Sequence, residues 1–389
     1  MLRDAFAYLP VMRHSMEKWP CLLLAVFAIV AQVSAARAHA GLLQQSVVDS
    51  LPDSIRFSRI LSVRELSDGR TLVTDVGAGR LLVADWRTGR LANVGRRGQS
   101  VDEYREVGSM FAAEADTTVM DDPAGHRWLV LVGDVLAGPV PGSIGREAHA
   151  SLRGVAQNGQ VLEVRATAFG GSVGVTTARI RPFATSLIAV VRDVRGAWTD
   201  TVAQLRGPFI GAADVRKTVD GQTMNYLIWN PLGVEDQCLM MPDGWIVVAR
   251  VAPYRIDWIS PSGKITVGPP IPRPEVVVDE RIKRAALNRI WFGPFRSRLA
   301  SEEVPGWPAL LPPFLNDALL ATPDHRVVIR RLAAAVDDRP EYDLFSRAGD
   351  KSSIRLKQGE ALIGFGRGRM YVTTRVDEHS VRLERRSWP

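Results

Sequence analysis

A short phrase recurs six times along this chain: a polar turn, then a run rich in Val, Ile and Leu, then a charged residue where a strand would end. It reads LSDGRTLVTD from Leu66 to Asp75, EADTTVMDD from Glu114 to Asp122, QNGQVLEVR from Gln157 to Arg165 and MPDGWIVVAR from Met241 to Arg250. TPDHRVVIRR from Thr322 to Arg331 and GRGRMYVTTR from Gly366 to Arg375 complete the set. A β-hairpin repeated at this scale cannot bury its apolar face alone, so copies must be arrayed around or along a common core. The most economical array is an all-β propeller of six blades, and the phrase describes a scaffold rather than a chemistry.

Spacing sharpens the count. With Asp68, Asp116, Asn158, Asp243, Asp324 and Arg367 as turn markers, the intervals are 48, 42, 85, 81 and 43 residues. The short intervals each hold four strands with their turns, and the two long ones hold either a hidden blade or an insertion. Seven blades is the alternative. After Asp243 the sequence favours an insertion: Ile282, Ala285, Ala286, Arg289 and Ile290 follow helical spacing, Asp279 stands at an N-cap position, and PGWPALLPPF from Pro305 to Phe314 excludes central strands. We therefore expect a helical and proline-rich excursion over about 275–313 between blades four and five. In the other gap, Ala184 to Val194 and Trp198 to Gly207 read as the outer strands of blade three, Gly170 to Pro182 as inserted, and 208–235 carries no assignment. Blade six lacks an outermost strand, and Asp53 to Phe57 is expected to fill its place and close the ring.

The first forty residues are of another kind. Lys18 precedes the uncharged run Cys21 to Val33, and Ala38-His39-Ala40 has the small-residue form of a signal-peptidase site. The run is shorter than the ~20 residues that span a bilayer. The expectation is a removed signal over 1–40, an exported propeller over 41–389 in the periplasm or outside the cell, and no stable membrane span afterwards. Its loss lowers the net charge from +7 to +5. That excess is spread along the chain, so nucleic acid is not an expected partner. Cys238 is then alone, and its apolar neighbours Leu239 and Met240 favour a buried small hydrophobe over a reactive thiol.

The stretch LLVADWRTGRLANVGRRGQSVDEYREV, Leu81 to Val107, resembles the outer strands and blade junction of NHL-type, TolB-like six-bladed propellers. Gly95, Gly98, Glu103 and Tyr104 match that pattern, while Val101-Asp102 replaces its usual Gly-Pro. The resemblance implies a six-bladed fold and ligand or partner binding on one face, with lactonase, lyase and hydrolase branches as the enzymatic alternative. Those lactonases hold a divalent metal over the channel with carboxylates and amides. No such set is recognisable here, so no catalytic residue, metal or cofactor is assigned.

One pattern carries chemistry. The last residue of each phrase is Asp75, Asp122, Arg165, Arg250, Arg331 or Arg375, and second strands of propeller blades all end at one face. Converging guanidiniums suit a carboxylate, phosphate or sulfate, because each fork makes paired charge-assisted hydrogen bonds. The expected partner is thus a protein or an anionic small molecule or saccharide. The bland alternative is that charged strand ends simply meet water. His126, His149, His325 and His379 stand at no metal-ligand spacing, and the Asp121-Asp122 pair beside His126 reads as a turn. Trp229, Trp245, Trp258, Trp291 and Trp307 read as packing between blades before they read as a ligand platform.

Overall fold

Each copy of the phrase folds as the inner half of a blade, because its turn forces one residue into the left-handed region. Gly69, Gly159, Gly244 and Gly368 take that position at no steric cost, while Ala115 (φ 49°) and His325 (φ 62°) take it in blades two and five. The strands that follow are β-branched and aliphatic on both faces, as sheets packed on both sides require. The computed structural model describes residues 47–143, 150–166, 181–193, 199–219, 222–289, 300–304, 306–332 and 339–388. The leader expected over 1–40 lies outside them, as does most of the inserted 170–182 segment. No helix among the described residues is long and apolar enough to cross a membrane.

The described residues form six antiparallel sheets. A first strand β1 (Val47–Ser50) belongs to the last sheet. Blade one is β2 (Ile60–Glu65), β3 (Thr71–Asp75), β4 (Arg80–Asp85) and β5 (Arg90–Asn93). Blade two is β6 (Met110–Ala112), β7 (Thr117–Asp122), β8 (Arg127–Val132) and β9 (Val135–Pro139). Blade three has five strands, β10 (Ser151–Val155), β11 (Gln160–Ala166), β12 (Arg181–Asp193), β13 (Thr199–Val219) and β14 (Gln222–Trp229). Blade four is β15 (Gln237–Met240), β16 (Ile246–Arg250), β17 (Arg255–Ile259) and the two-residue β18 (Ile265–Thr266), followed by helix α1 (Glu280–Arg289). Blade five is β19 (Phe314–Ala321), β20 (Val327–Arg331), β21 (Glu341–Phe345) and β22 (Lys351–Arg355). Blade six is β23 (Glu360–Gly366), β24 (Arg369–Arg375) and β25 (Val381–Ser387). The strands β2, β6, β10, β15, β19 and β23 touch in that order and back to β2, so they surround a central channel.

The propeller is six-bladed, and both long intervals are insertions. The expected outer strands of blade three are there, and the unassigned stretch supplies an extension: β13 continues past its pairing with β12 into a hairpin with β14, Ala212 opposite Trp229. Ring closure differs from the sequence expectation. The strand that completes blade six is β1, antiparallel to β25 with Asp49 opposite Arg385, while Asp53 to Phe57 makes a turn that meets the blade through the Phe57–Val381 bridge and the Asp53–Arg382 ion pair. Val47, Asp49 and Ser50 pair with β25 around an irregularity at Val48, whereas Pro52 and Asp53 begin a turn.

Packing falls mostly between neighbouring blades. Tyr104, 4% exposed, fills the junction of blades one and two among Leu72, Leu81, Met120 and Leu129, and its hydroxyl accepts the Leu81 N–H at 3.2 Å. Arginines clip adjacent blades by stacking on tryptophan rings: Arg192 on Trp128, Arg347 on Trp245 and Trp258, Arg326 on Trp388, and Arg385 on Trp86. Trp245 and Trp258 are thus inter-blade packing. The insertion has a small core of its own, in which Val278, Ile282 and Ala286 meet Leu311 and Trp307 and are anchored to the blades through Leu232 and Leu332. Asp279 Oδ1 accepts the Ile282 N–H at 2.8 Å, as an N-cap residue does.

Candidate functional site

Strand registers decide where the six phrase-ending residues stand. Ile60 faces Asp75 and Phe314 faces Arg331, while Arg250 and Arg375 lie one residue beyond the pairs Gln237–Ala249 and Glu360–Thr374. Arg165 lies one beyond Ser151–Val164, and Asp122 two beyond Met110–Met120. All six therefore stand at the mouth where the innermost strands begin, here termed the upper mouth.

Five of the six are engaged in joints of the scaffold. Asp75 accepts the N–H groups of Ser58 and Arg59 and a bond from Arg80 Nη2 at 2.9 Å. Asp122 accepts from the N–H groups of Arg105, Glu106 and Gly125 and from Arg127 Nε at 3.0 Å. In both blades a buried carboxylate holds the backbone that leads into the innermost strand. Blade four has the same joint with the charges exchanged: Asp236, in the leading segment, accepts from Arg206 N, Val251 N and Arg250 Nη1, and Arg250 also reaches Asp257 and the Gln204 carbonyl. Burial pulls the Arg250 guanidinium toward neutrality, and its bonds to Asp257 and Asp236 outweigh that, holding it above its ordinary range. Arg331 is gripped by Asp343 at 2.9 and 2.5 Å and by Glu341 at 2.6 Å. Arg165 pairs with Glu163. Arg375 is exposed.

Two cavities open beside these joints. A cleft of about 1050 Å³ lies between the blade three to four junction and the insertion. Arg206, Arg250, Arg255 and Arg273 line it with Trp307, and Asp236 is its carboxylate. Arg206 is exposed. Burial lowers the Arg273 guanidinium from its ordinary range, and its Nη2 donates to the Leu311 carbonyl of the proline-rich segment. Trp307 is fixed by its Nε1–H to the Ser301 carbonyl at 2.9 Å. With Asp257 shared by Arg250 and Arg255, the cleft holds more guanidiniums than carboxylates, and Leu232, Leu310 and the prolines Pro308, Pro312 and Pro313 supply its apolar wall.

The second cavity, about 350 Å³, is the channel itself, bounded by all six innermost strands. Its upper mouth carries a polar cluster from blades three, four and five. Arg153 Nη1 meets Asp317 Oδ1 at 2.5 Å across blade four, and the Gln237 amide takes the Asp317 N–H and donates to Glu235 and Asn316. Burial raises the Glu235 carboxyl above its ordinary range, and Arg153 opposes that shift. Asp317, at φ 59°, sits in an irregular stretch of β19 that turns its side chain out of the ladder. Below them Cys238 is buried, and desolvation pushes its thiol up to about 12. Folded protein at pH 8 should therefore resist a thiol-titrating disulfide reagent, and reaction should appear only in denaturant. Rapid labelling of the native protein would contradict this reading.

The sequence reading missed Arg153, Arg206, Gln237, Arg255, Arg273 and Asp317. Only Trp307 of the cleft stood among the expected platform residues. The signals were weak because these side chains converge from segments outside the repeated phrase. His126 and Asp122 form a turn, with Asp122 capping Gly125 and His126 in the left-handed region. The side chains of Trp229 and Trp291 lie outside the described set. No group of three or more His, Cys, Asp or Glu among the described residues is placed to hold a metal ion.

No family model and no curated protein matches the sequence. Solved structures do. A Bacteroides fragilis protein described as exported aligns over 89% of this chain and 95% of its own, with 14% identity and a TM-score of 0.48. Virginiamycin B lyase from Staphylococcus aureus aligns over 89% of this chain and 99% of its own, at 10% identity and a TM-score of 0.42. A calcium-binding regucalcin from Agrobacterium tumefaciens covers 88% and 96%, at 9% identity and 0.37. These are likenesses of architecture. At such identities neither the lyase nor the calcium-binding activity transfers to this chain.

Proposed function

We propose that this protein is a ligand-binding propeller whose upper mouth takes an anionic ligand, a carboxylated or sulfated saccharide or an acidic segment of a partner protein. The supporting observation is the cleft beside blades three and four, where Arg206, Arg250, Arg255 and Arg273 outnumber the carboxylates and Trp307 offers a ring for stacking. In this reading the insertion is one wall of the site, as excursions from regular scaffolds usually are. Of the phrase-ending residues, Arg250 belongs to the cleft and Arg375 is exposed toward the same mouth, while Asp75, Asp122, Arg165 and Arg331 serve the ligand by holding that mouth rigid. The lactonase or lyase alternative gains no support from a group of three or more His, Cys, Asp or Glu among the described residues. Export belongs to the proposal and rests on the leader read over 1–40.

Titration with an anionic saccharide panel, galacturonate oligomers and a sulfated disaccharide, tests this by following tryptophan emission. Binding that weakens with added salt is expected, and Arg206→Ala and Arg273→Met should each lower affinity about 10-fold, the worth of one charge-assisted hydrogen bond. Unchanged affinity in both variants would refute the cleft.

A further inference from the structure

The channel contradicts the usual economy of an innermost strand. Leu61 is 42% exposed although β2 lies at the centre of the molecule, and Phe111, Leu319, Ile363 and Phe365 are only partly buried on their own innermost strands. Phe365 packs one edge on Trp388, with ring centroids 4.7 Å apart, and still borders the cavity. Apolar surface left open inside a cavity of about 350 Å³, near the small end of ligand sites, is surface awaiting a small apolar body.

The lower mouth supplies the complementary charge. Arg64, near the end of β2, and Arg367, in the turn after β23, both border the channel. Arg64 spends its Nη groups on the carbonyls of Glu65 (2.5 Å) and Ala115 (2.7 Å), and its buried Nε has no partner. Arg367 is exposed. The carboxylates nearby are committed elsewhere. Asp116 takes the Ser67 N–H and hydroxyl, at 2.7 and 2.5 Å, and Glu65 takes the Tyr371 hydroxyl at 2.6 Å. Burial, with Arg367 nearby, lowers the Arg64 guanidinium from its ordinary range despite the opposing pull of Asp116. Two cations without carboxylate bonds thus stand where an apolar tube opens.

We propose that the channel binds an apolar monocarboxylate, a medium-chain acid with its hydrocarbon between the innermost strands and its head group on Arg64 and Arg367. This site is separate from the upper cleft and opens on the opposite face. The segment from Leu232 to Met240 walls both cavities, with Asp236 lining the cleft and Gln237 the channel.

Decanoate is the probe, added below its micellar concentration to the full chain and followed by calorimetry. One saturable site is expected, with decanol and methyl decanoate at least 10-fold weaker and decylamine showing no binding. Arg367→Ala should lower decanoate affinity 5- to 10-fold, and Leu61→Glu should abolish it while circular dichroism and melting stay near those of the parent. Arg206→Ala and Arg273→Met should leave it unchanged. Absence of saturable binding, equal affinity for decanol, or loss of binding through the cleft variants instead of the channel variants would each overturn the assignment.

Discussion

Replacing Asp122 by alanine should cost about 3–5 kcal/mol of folding stability, read as a shift of the urea midpoint at constant slope. The carboxylate is fully buried and receives bonds from three backbone N–H groups and Arg127. Its removal strands those donors and leaves Arg127, 8% exposed, as a buried cation bonded only to the carbonyls of Ser100 and Glu103. Asp122→Asn should cost less, since the amide oxygen still accepts. Adding Arg127→Met to Asp122→Ala should recover part of the loss, because the uncompensated charge leaves with its partner. A loss below about 1 kcal/mol for Asp122→Ala would show that the joint is not what fixes blade two.

The second large effect is expected at Gly154, where the chains of two blades nearly touch. Its φ is 143°, and a Cβ there would stand 2.5 Å from the Met240 carbonyl oxygen and 2.8 Å from the Met240 nitrogen, both backbone atoms of β15. Nothing flexible can yield. Gly154→Val should destabilise by about 2–5 kcal/mol, combining backbone strain with overpacking, and thermal melting together with urea unfolding would measure it. The substitution pushes β10 away from β15, so the channel should also widen between blades three and four. Stability equal to the parent would mean that the two innermost strands slide freely, against the packing described here.

The blades were legible because the phrase that writes them is local. A turn residue, a β-branched run and a terminal charge lie within ten positions, and the same words return six times. Helix α1 was legible for the same reason, through the periodicity of Ile282 and Ala286 and the cap at Asp279. Closure was harder to read. β1 pairs with β25 at a separation of more than 330 residues, and a four-residue strand without alternation offers no local sign of its partner. The strand-end charges show a different limit. Arg250 and Arg331 read as free forks in the sequence, yet Asp236, Asp257, Glu341 and Asp343 approach them from other segments, and only registers reveal that pairing. The cavity residues Arg153, Gln237 and Asp317 come from three blades, and their meeting is a product of the ring rather than of any motif.

That ring has a temporal side. Among the described strands, β1, which shuts the ring, is made first and β25, which receives it, last, and the two are joined through Asp49 and Arg385 at a separation of 336 residues. Any apparatus that handles the polypeptide from one end to the other, a ribosome or a translocation pore, therefore handles an unclasped molecule in which β1 and β24 lack the strand that joins them. The clasp fastens only once β25 has been released, so closure of the circle waits on the meeting of two strands far apart in the sequence.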